Sequence, residues 1–219
     1  MDTYQRRLIL TCATGGLAAT LDYILISAAP LPDRIGSLMF FAFGPLVVMG
    51  MIGLAAYLNL EGKRVSVELA KTFGIIAGVL VNLMAVVQQS NLEYFHRYIA
   101  EAPDDAAKAQ LRQQLKGVFT VQAGMDVSWD IFVCLATILF GYALLRTRGV
   151  ERWLGAAGIL AAGLLLIFNL ATFPVPPAEA GSVDLGPAVG IWFMLASIRI
   201  LWVIGRKPSR PPLLHAATS

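Results

Sequence analysis

"GMDVSWDIFVCLATILFGYALLRTR", residues 124–148, starts with two carboxylates, Asp126 and Asp130, and ends with two arginines. Residues 131–145 carry no charge at all. Together with the residues just before it, this run is long enough to cross a hydrocarbon core of about 30 Å as a helix of about 20 residues. In lipid the backbone must be satisfied inside a helix or a closed barrel. A barrel strand would alternate polar and apolar residues with a period of two, and this stretch does not. It therefore reads as a membrane helix with two acids set into it.

The rest of the chain has the same character. Of its 219 residues, 57% are hydrophobic and only 14% charged, against about 45–50% and about 25% in a soluble domain. The expected fold class is all-α, a polytopic helical membrane bundle with six transmembrane helices. Hydropathy places the spans at about 8–29, 36–60, 67–87, 118–145, 153–173 and 185–204. They form one transmembrane domain over residues 1–205, followed by a short Pro-rich tail over 206–219. Arg6 and Arg7 ahead of an apolar run look like a signal peptide. That run exceeds an h-region of about 7–15 residues, and Asp22 interrupts it, so it is read as a retained first span.

The basic residues set the direction. With the N-terminus cytoplasmic, Arg6, Arg7, Lys63, Arg64, Lys71, Arg146, Arg148, Arg152, Arg206, Lys207 and Arg210 fall inside, eleven in all. Arg34, Arg97, Lys108, Arg112 and Lys116, five in all, fall outside. The loop "PVPPAEAGSVD" has neither Lys nor Arg, as suits an outer loop. Both termini are expected inside, and the tail is expected to be cytoplasmic. The polar connection between the third and fourth spans reads as helix on both sides of Pro103. Asp104 or Asp105 is placed to cap the second of these helices, and Leu111, Leu115, Val118 and Gln122 share one face. This predicts an extended outer helical hairpin over about 90–117.

In that orientation the polar residues of several spans share an outward depth. Asp22 and Tyr23 come from the first span, Asn82 and Gln88 from the third, and Gln122, Asp126, Trp129 and Asp130 from the fourth. Asn169 comes from the fifth and Trp192 from the sixth. A charge at the bilayer centre costs at least about 2.5–3.5 kcal/mol. Asp126 and Asp130, four residues apart, lie on one helical face that must turn to the bundle interior or to a wet pocket. At least one of the pair is expected to be protonated, to share a proton, or to meet a cation. Arg199 is the intramembrane cation available; it either pairs with Asp130 or snorkels to the headgroups. Asp184, just ahead of "LGP", is placed to cap the sixth helix, and Glu179 reads as solvated. Gly15, Gly16, Gly74, Gly78, Gly155, Gly158 and Gly163 read as close helix contacts.

Several classes are set aside. Cys12 and Cys134 are isolated within apolar runs, and neither His96 nor His215 lies in a span. No metal site and no cofactor is expected. The basic residues sit at helix ends and form no stripe, which argues against nucleic acid.

"DVSWDIF", with "NLATFPVPPAEAGSVDLGP" at residues 169–187, resembles a family of uncharacterised bacterial polytopic membrane proteins known as a domain of unknown function. The resemblance implies a multi-pass protein of the bacterial cytoplasmic (inner) membrane. It implies no substrate and no reaction. Three functions remain open. The first is an outward-facing acidic and polar intramembrane pocket that binds, or also transports, a cation or a small amphiphilic or lipid-like ligand. The residues named above at that depth, from Asp22 to Trp192, would line it. The second is an intramembrane enzyme with Asp126 and Asp130 as catalytic general acid and base on a lipid or isoprenoid-like substrate. Trp129, Trp192, Tyr23 and Phe173 would then line its pocket. The third is an accessory subunit that docks a partner through the hairpin. Membrane lipid is a partner in all three.

Overall fold

Helix begins almost at the first residue. The Gln5 N–H donates to Asp2 Oδ1 at 2.7 Å, and the Asp2 N–H reaches back to Gln5 Oε1 at 3.4 Å. This reciprocal pair satisfies amides that an incipient helix leaves open. In the computed structural model the structure describes residues 1–28, 33–147, 152–175, 177 and 180–206. Six long helices account for most of them: α1 (Thr3–Ala28), α2 (Asp33–Leu58), α3 (Val65–Glu101), α4 (Asp105–Leu145), α5 (Arg152–Thr172) and α6 (Gly186–Arg206). Each is long and apolar enough to cross a membrane. The chain is a multi-pass integral membrane protein, all-helical among the described residues. Arg148, Glu179, Lys207, Arg210 and His215, and with them the tail from residue 207 on, lie outside the described residues.

The helices follow one another around a ring. Each packs on its neighbour in sequence, and α6 closes the ring against α1. The contact of α5 with α6 is looser, and α4 barely meets α6. Large aliphatic side chains such as Leu38, Val79, Leu83, Leu160 and Ile167 are exposed, whereas Ile9, Leu54, Phe140 and Leu165 are fully buried. That inversion of a soluble surface suits a bundle solvated by acyl chains.

Lipid offers little hydrophobic drive between helices, so close packing of small residues holds them together. Three glycine pairs do this. A Cβ on Gly16 would lie 3.0 Å from Gly50 Cα, where α1 crosses α2. A Cβ on Gly44 would lie 2.6 Å from Gly78 O, where α2 crosses α3. Gly141 and Gly155 stand in the same relation across α4 and α5, at 2.7 and 2.6 Å from each other's carbonyl oxygen. Gly15, Gly74 and Gly158 abut Met49, Met51 and Trp192 respectively. Gly163 departs from the sequence reading, because a Cβ there would meet nothing within 4 Å. Composition alone cannot separate a contact glycine from a lipid-facing one.

The chain breaks between α3 and α4 at residues 102–104, as the proline predicts. Asp104 Oδ1 accepts the Ala107 N–H at 2.8 Å and so caps α4. At 37 and 41 residues these helices are about 55 and about 60 Å long at 1.5 Å per residue. That is nearly twice the hydrocarbon thickness. The face predicted from sequence is the less exposed one along the start of α4. Leu111, Leu115, Val118 and Gln122 are half-buried, while residues 112–114, 116, 117 and 119–121 are exposed.

Candidate functional site

α4 supplies the spine of the site. Asp126, Trp129, Asp130, Val133 and Thr137 all line one cavity of about 320 Å³, and their spacing puts them on a single helical face. All six helices contribute to the wall, at the end of the bundle where α1, α3 and α5 finish. The floor is apolar, with Met51, Val133, Leu165 and Phe193. Thr137 lies among them.

One wall is a row of aromatic rings from three helices. Tyr23 and Phe43 have centroids 5.9 Å apart, and Phe43 and Trp129 are 6.2 Å apart. These tilted arrangements are ones that ring quadrupoles favour. Trp129 sits between the two α4 acids in sequence, so the row ends beside carboxylates. A third acid, Asp184, lines the cavity from the segment ahead of α6. Its Oδ1 accepts the Gly186 N–H at 2.8 Å, which ties that carboxylate to the start of the helix. No Lys, Arg or His stands among the described residues that line the cavity. Nor do three His, Cys, Asp or Glu side chains among the described residues gather as a metal-holding group.

Of the residues singled out from sequence, Tyr23, Asp126, Trp129 and Asp130 meet in this cavity. Asn169 is buried one step behind it. Its Nδ2 donates to Leu165 O at 3.1 Å, and its amide lies against the Asp130 carboxyl. The other expected members lie elsewhere. Successive residues on a helix point about 100° apart, from 3.6 residues per turn. Asp22 is buried and is not among the residues that line the cavity. Asn82 follows the lining residue Val81 and packs under Gly44 instead. Gln88 and Gln122 lie further along α3 and α4 toward their connection, past the lining residues. Trp192 precedes the lining residue Phe193 and turns to α5, where its Nε1 donates to Leu154 O at 2.7 Å. Phe173 is exposed.

Arg199 lies in a separate groove with Trp153, Leu154, Leu195, Ile198 and Trp202. Its guanidinium stacks 4.4 Å over the Trp202 ring. That groove runs between α5 and α6, whereas Asp130 faces the cavity from α4.

Sequence reasoning missed four polar lining residues, Asp184, Thr20, Ser27 and Thr137. Asp184 announced itself only as a helix cap, a role it does fill. Thr20 and Thr137 carry no signal that distinguishes them from packing threonines. The hydroxyl of Thr20 is taken up by Gly16 O at 3.4 Å. That of Thr137 meets no hydrogen-bond partner among the described residues, although the residue is 1% exposed. No curated protein and no solved structure matches the chain. The family model described as Domain of unknown function (DUF4386) matches residues 13–205 of the 219, and the chain belongs to that family.

Proposed function

We propose that the protein binds a small ligand, an amphiphile or a cation, in the acidic cavity enclosed by its six helices. The observation that carries this reading is the meeting of Asp126, Asp130 and Asp184 with the ring row Tyr23–Phe43–Trp129 around one void. Intramembrane acids turned to a cavity are expensive, and function is their usual reason. The volume lies within the range of about 300–1,000 Å³ common to small-molecule sites. The excess of basic residues near the opposite end of the bundle supports both termini lying in the cytoplasm. The cavity then opens outward, and the α3–α4 hairpin projects on that same side of a bacterial inner membrane. Ligand crossing the membrane is an extension of the reading that binding alone does not require.

Gly190 provides the test. It lines the cavity, and a Cβ there would meet nothing within 4 Å. Gly190→Leu fills the void while improving helix propensity by about 1 kcal/mol. The full chain in lipid nanodiscs is dialysed to equilibrium against sodium ion and against three probes of one shape: 4-phenylbutylammonium, 4-phenylbutanol and 4-phenylbutyrate. At least one of the four is expected to be retained above empty nanodiscs. Gly190→Leu is expected to weaken that retention about tenfold, the loss that about 1.4 kcal/mol produces. Retention of none, or equal retention by the variant at an unchanged melting temperature, overturns the proposal.

A further inference from the structure

The cavity differs chemically from one end to the other along α4. Asp126, Trp129 and Asp130 stand at one end and Thr137 at the other, with Val133 between. Seven residues separate Asp130 from Thr137, which is roughly 10 Å of helix at 1.5 Å per residue. Met51, Leu165 and Phe193 make the space between them apolar.

An inorganic cation fits this arrangement poorly. Hard cations want about six or more oxygen ligands converging at fixed distance, and no group of three His, Cys, Asp or Glu side chains among the described residues could hold a metal ion. Beside them lies the face-bearing row Tyr23–Phe43–Trp129. Carboxylates next to aromatic faces recognise organic ammonium groups, which take both the Coulombic and the cation–π attraction and need no full oxygen shell. No basic side chain among the described lining residues competes for the acids, so a cationic ligand also relieves their mutual repulsion.

The far end is marked separately. Thr137 Oγ1 is buried and without a hydrogen-bond partner among the described residues. A buried hydroxyl is ordinarily satisfied, and this one belongs to a residue on the cavity floor. It is an observation independent of the acids, and it points to a polar group on the ligand about 10 Å from its nitrogen.

Resting on the binding role proposed above, we infer that the ligand is a lipophilic amine. Its ammonium lies at the acidic end of the cavity, against Trp129 and within reach of the Asp130 carboxylate and its neighbours, its apolar body lies on Met51, Leu165 and Phe193, and a hydroxyl-type group at its distal end meets Thr137.

The same probe series, with the full chain in nanodiscs, tests the inference separately from the binding role. The ammonium compound is expected to bind at least about tenfold more tightly than the alcohol, and the carboxylate most weakly, since a hydrogen-bonded charge outweighs a neutral contact by such a factor. Asp130→Asn, with Asp126 and Asp184 still in place, is expected to narrow the preference for the ammonium compound over the alcohol about threefold, and an unchanged preference overturns the amine. The 4-(4-hydroxyphenyl)butylammonium analogue is expected to bind about fivefold more tightly than its parent, and Thr137→Val to abolish that gain alone. Preference for the alcohol or carboxylate, with retention still sensitive to Gly190→Leu, overturns the amine while the cavity reading stands. Retention that Gly190→Leu does not change overturns both. Equal binding of the hydroxylated analogue and its parent overturns the distal contact.

Discussion

Gly50→Leu is expected to be the most damaging single substitution in the bundle. A Cβ at Gly50 would overlap the Phe193 ring and come within 2.6 Å of Gly16 Cα, so α1, α2 and α6 would all have to separate. Overpacking a well-packed core costs about 1–3 kcal/mol and occasionally more, and here backbone rather than a flexible side-chain tip stands in the way. A loss of about 3 kcal/mol is the expected size at this triple junction. It would be read as a lower midpoint of unfolding in mixed detergent micelles. Gly163→Leu is the matched control, because the same side chain on α5 meets open space and should leave the midpoint nearly unchanged. Equal behaviour of the two variants would mean that the crossing at Gly50 is not close. Phe193 also lines the cavity, so displacing it should disturb the site together with the fold.

Arg64→Met is expected to have the second largest effect on stability. The guanidinium sits just ahead of α3 and reaches across to the end of α4. Its Nη1 donates to Ala143 O at 3.1 Å and to Thr147 Oγ1 at 3.0 Å, and its Nη2 pairs with Glu61 at 3.0 Å. Ala143 O also accepts the Arg146 N–H and the Thr147 hydroxyl, and the C-terminal end of a helix carries partial negative charge that a cation complements. Methionine keeps much of the stem and removes these bonds, two of them to α4 and its C-terminal threonine. Hydrogen bonds that involve a charged group are worth about 1.5–3 kcal/mol each, with strong overlap within one network, so about 2 kcal/mol is expected. Glu61→Gln probes the solvent-exposed arm alone and should cost a few tenths of a kcal/mol, in keeping with exposed ion pairs. A midpoint for Arg64→Met no lower than that of Glu61→Gln would show that the link to α4 contributes nothing.

The elements of this fold were legible because hydrocarbon imposes a length on every apolar run. The span expected at 153–173 is the helix Arg152–Thr172, and that at 185–204 is Gly186–Arg206. Proline and an aspartate cap marked the α3–α4 break for local reasons that need no tertiary knowledge. The site was legible only where one helix carries it. The spacing of Asp126 and Asp130 fixes a shared face whatever the neighbours do. Across helices the sequence supplies depth but no rotation. Trp192 sits at a suitable depth beside Phe193, which does line the cavity, one position away and therefore about 100° off. Asp184 shows the converse, since a local capping role hid its place on the cavity wall. Gly163 shows that a small residue in a span says nothing about what lies opposite it.

Cys12 and Cys134 are the only thiols in the chain, and they are 7% and 0% exposed. The wild-type protein is therefore close to silent toward a membrane-impermeant maleimide. A single cysteine placed at Asp104 or at Lys63 would report, by its labelling in intact cells, which compartment each end of the bundle meets. The native sequence thus serves as its own blank for mapping sidedness, with no need to strip out background sulfhydryls first.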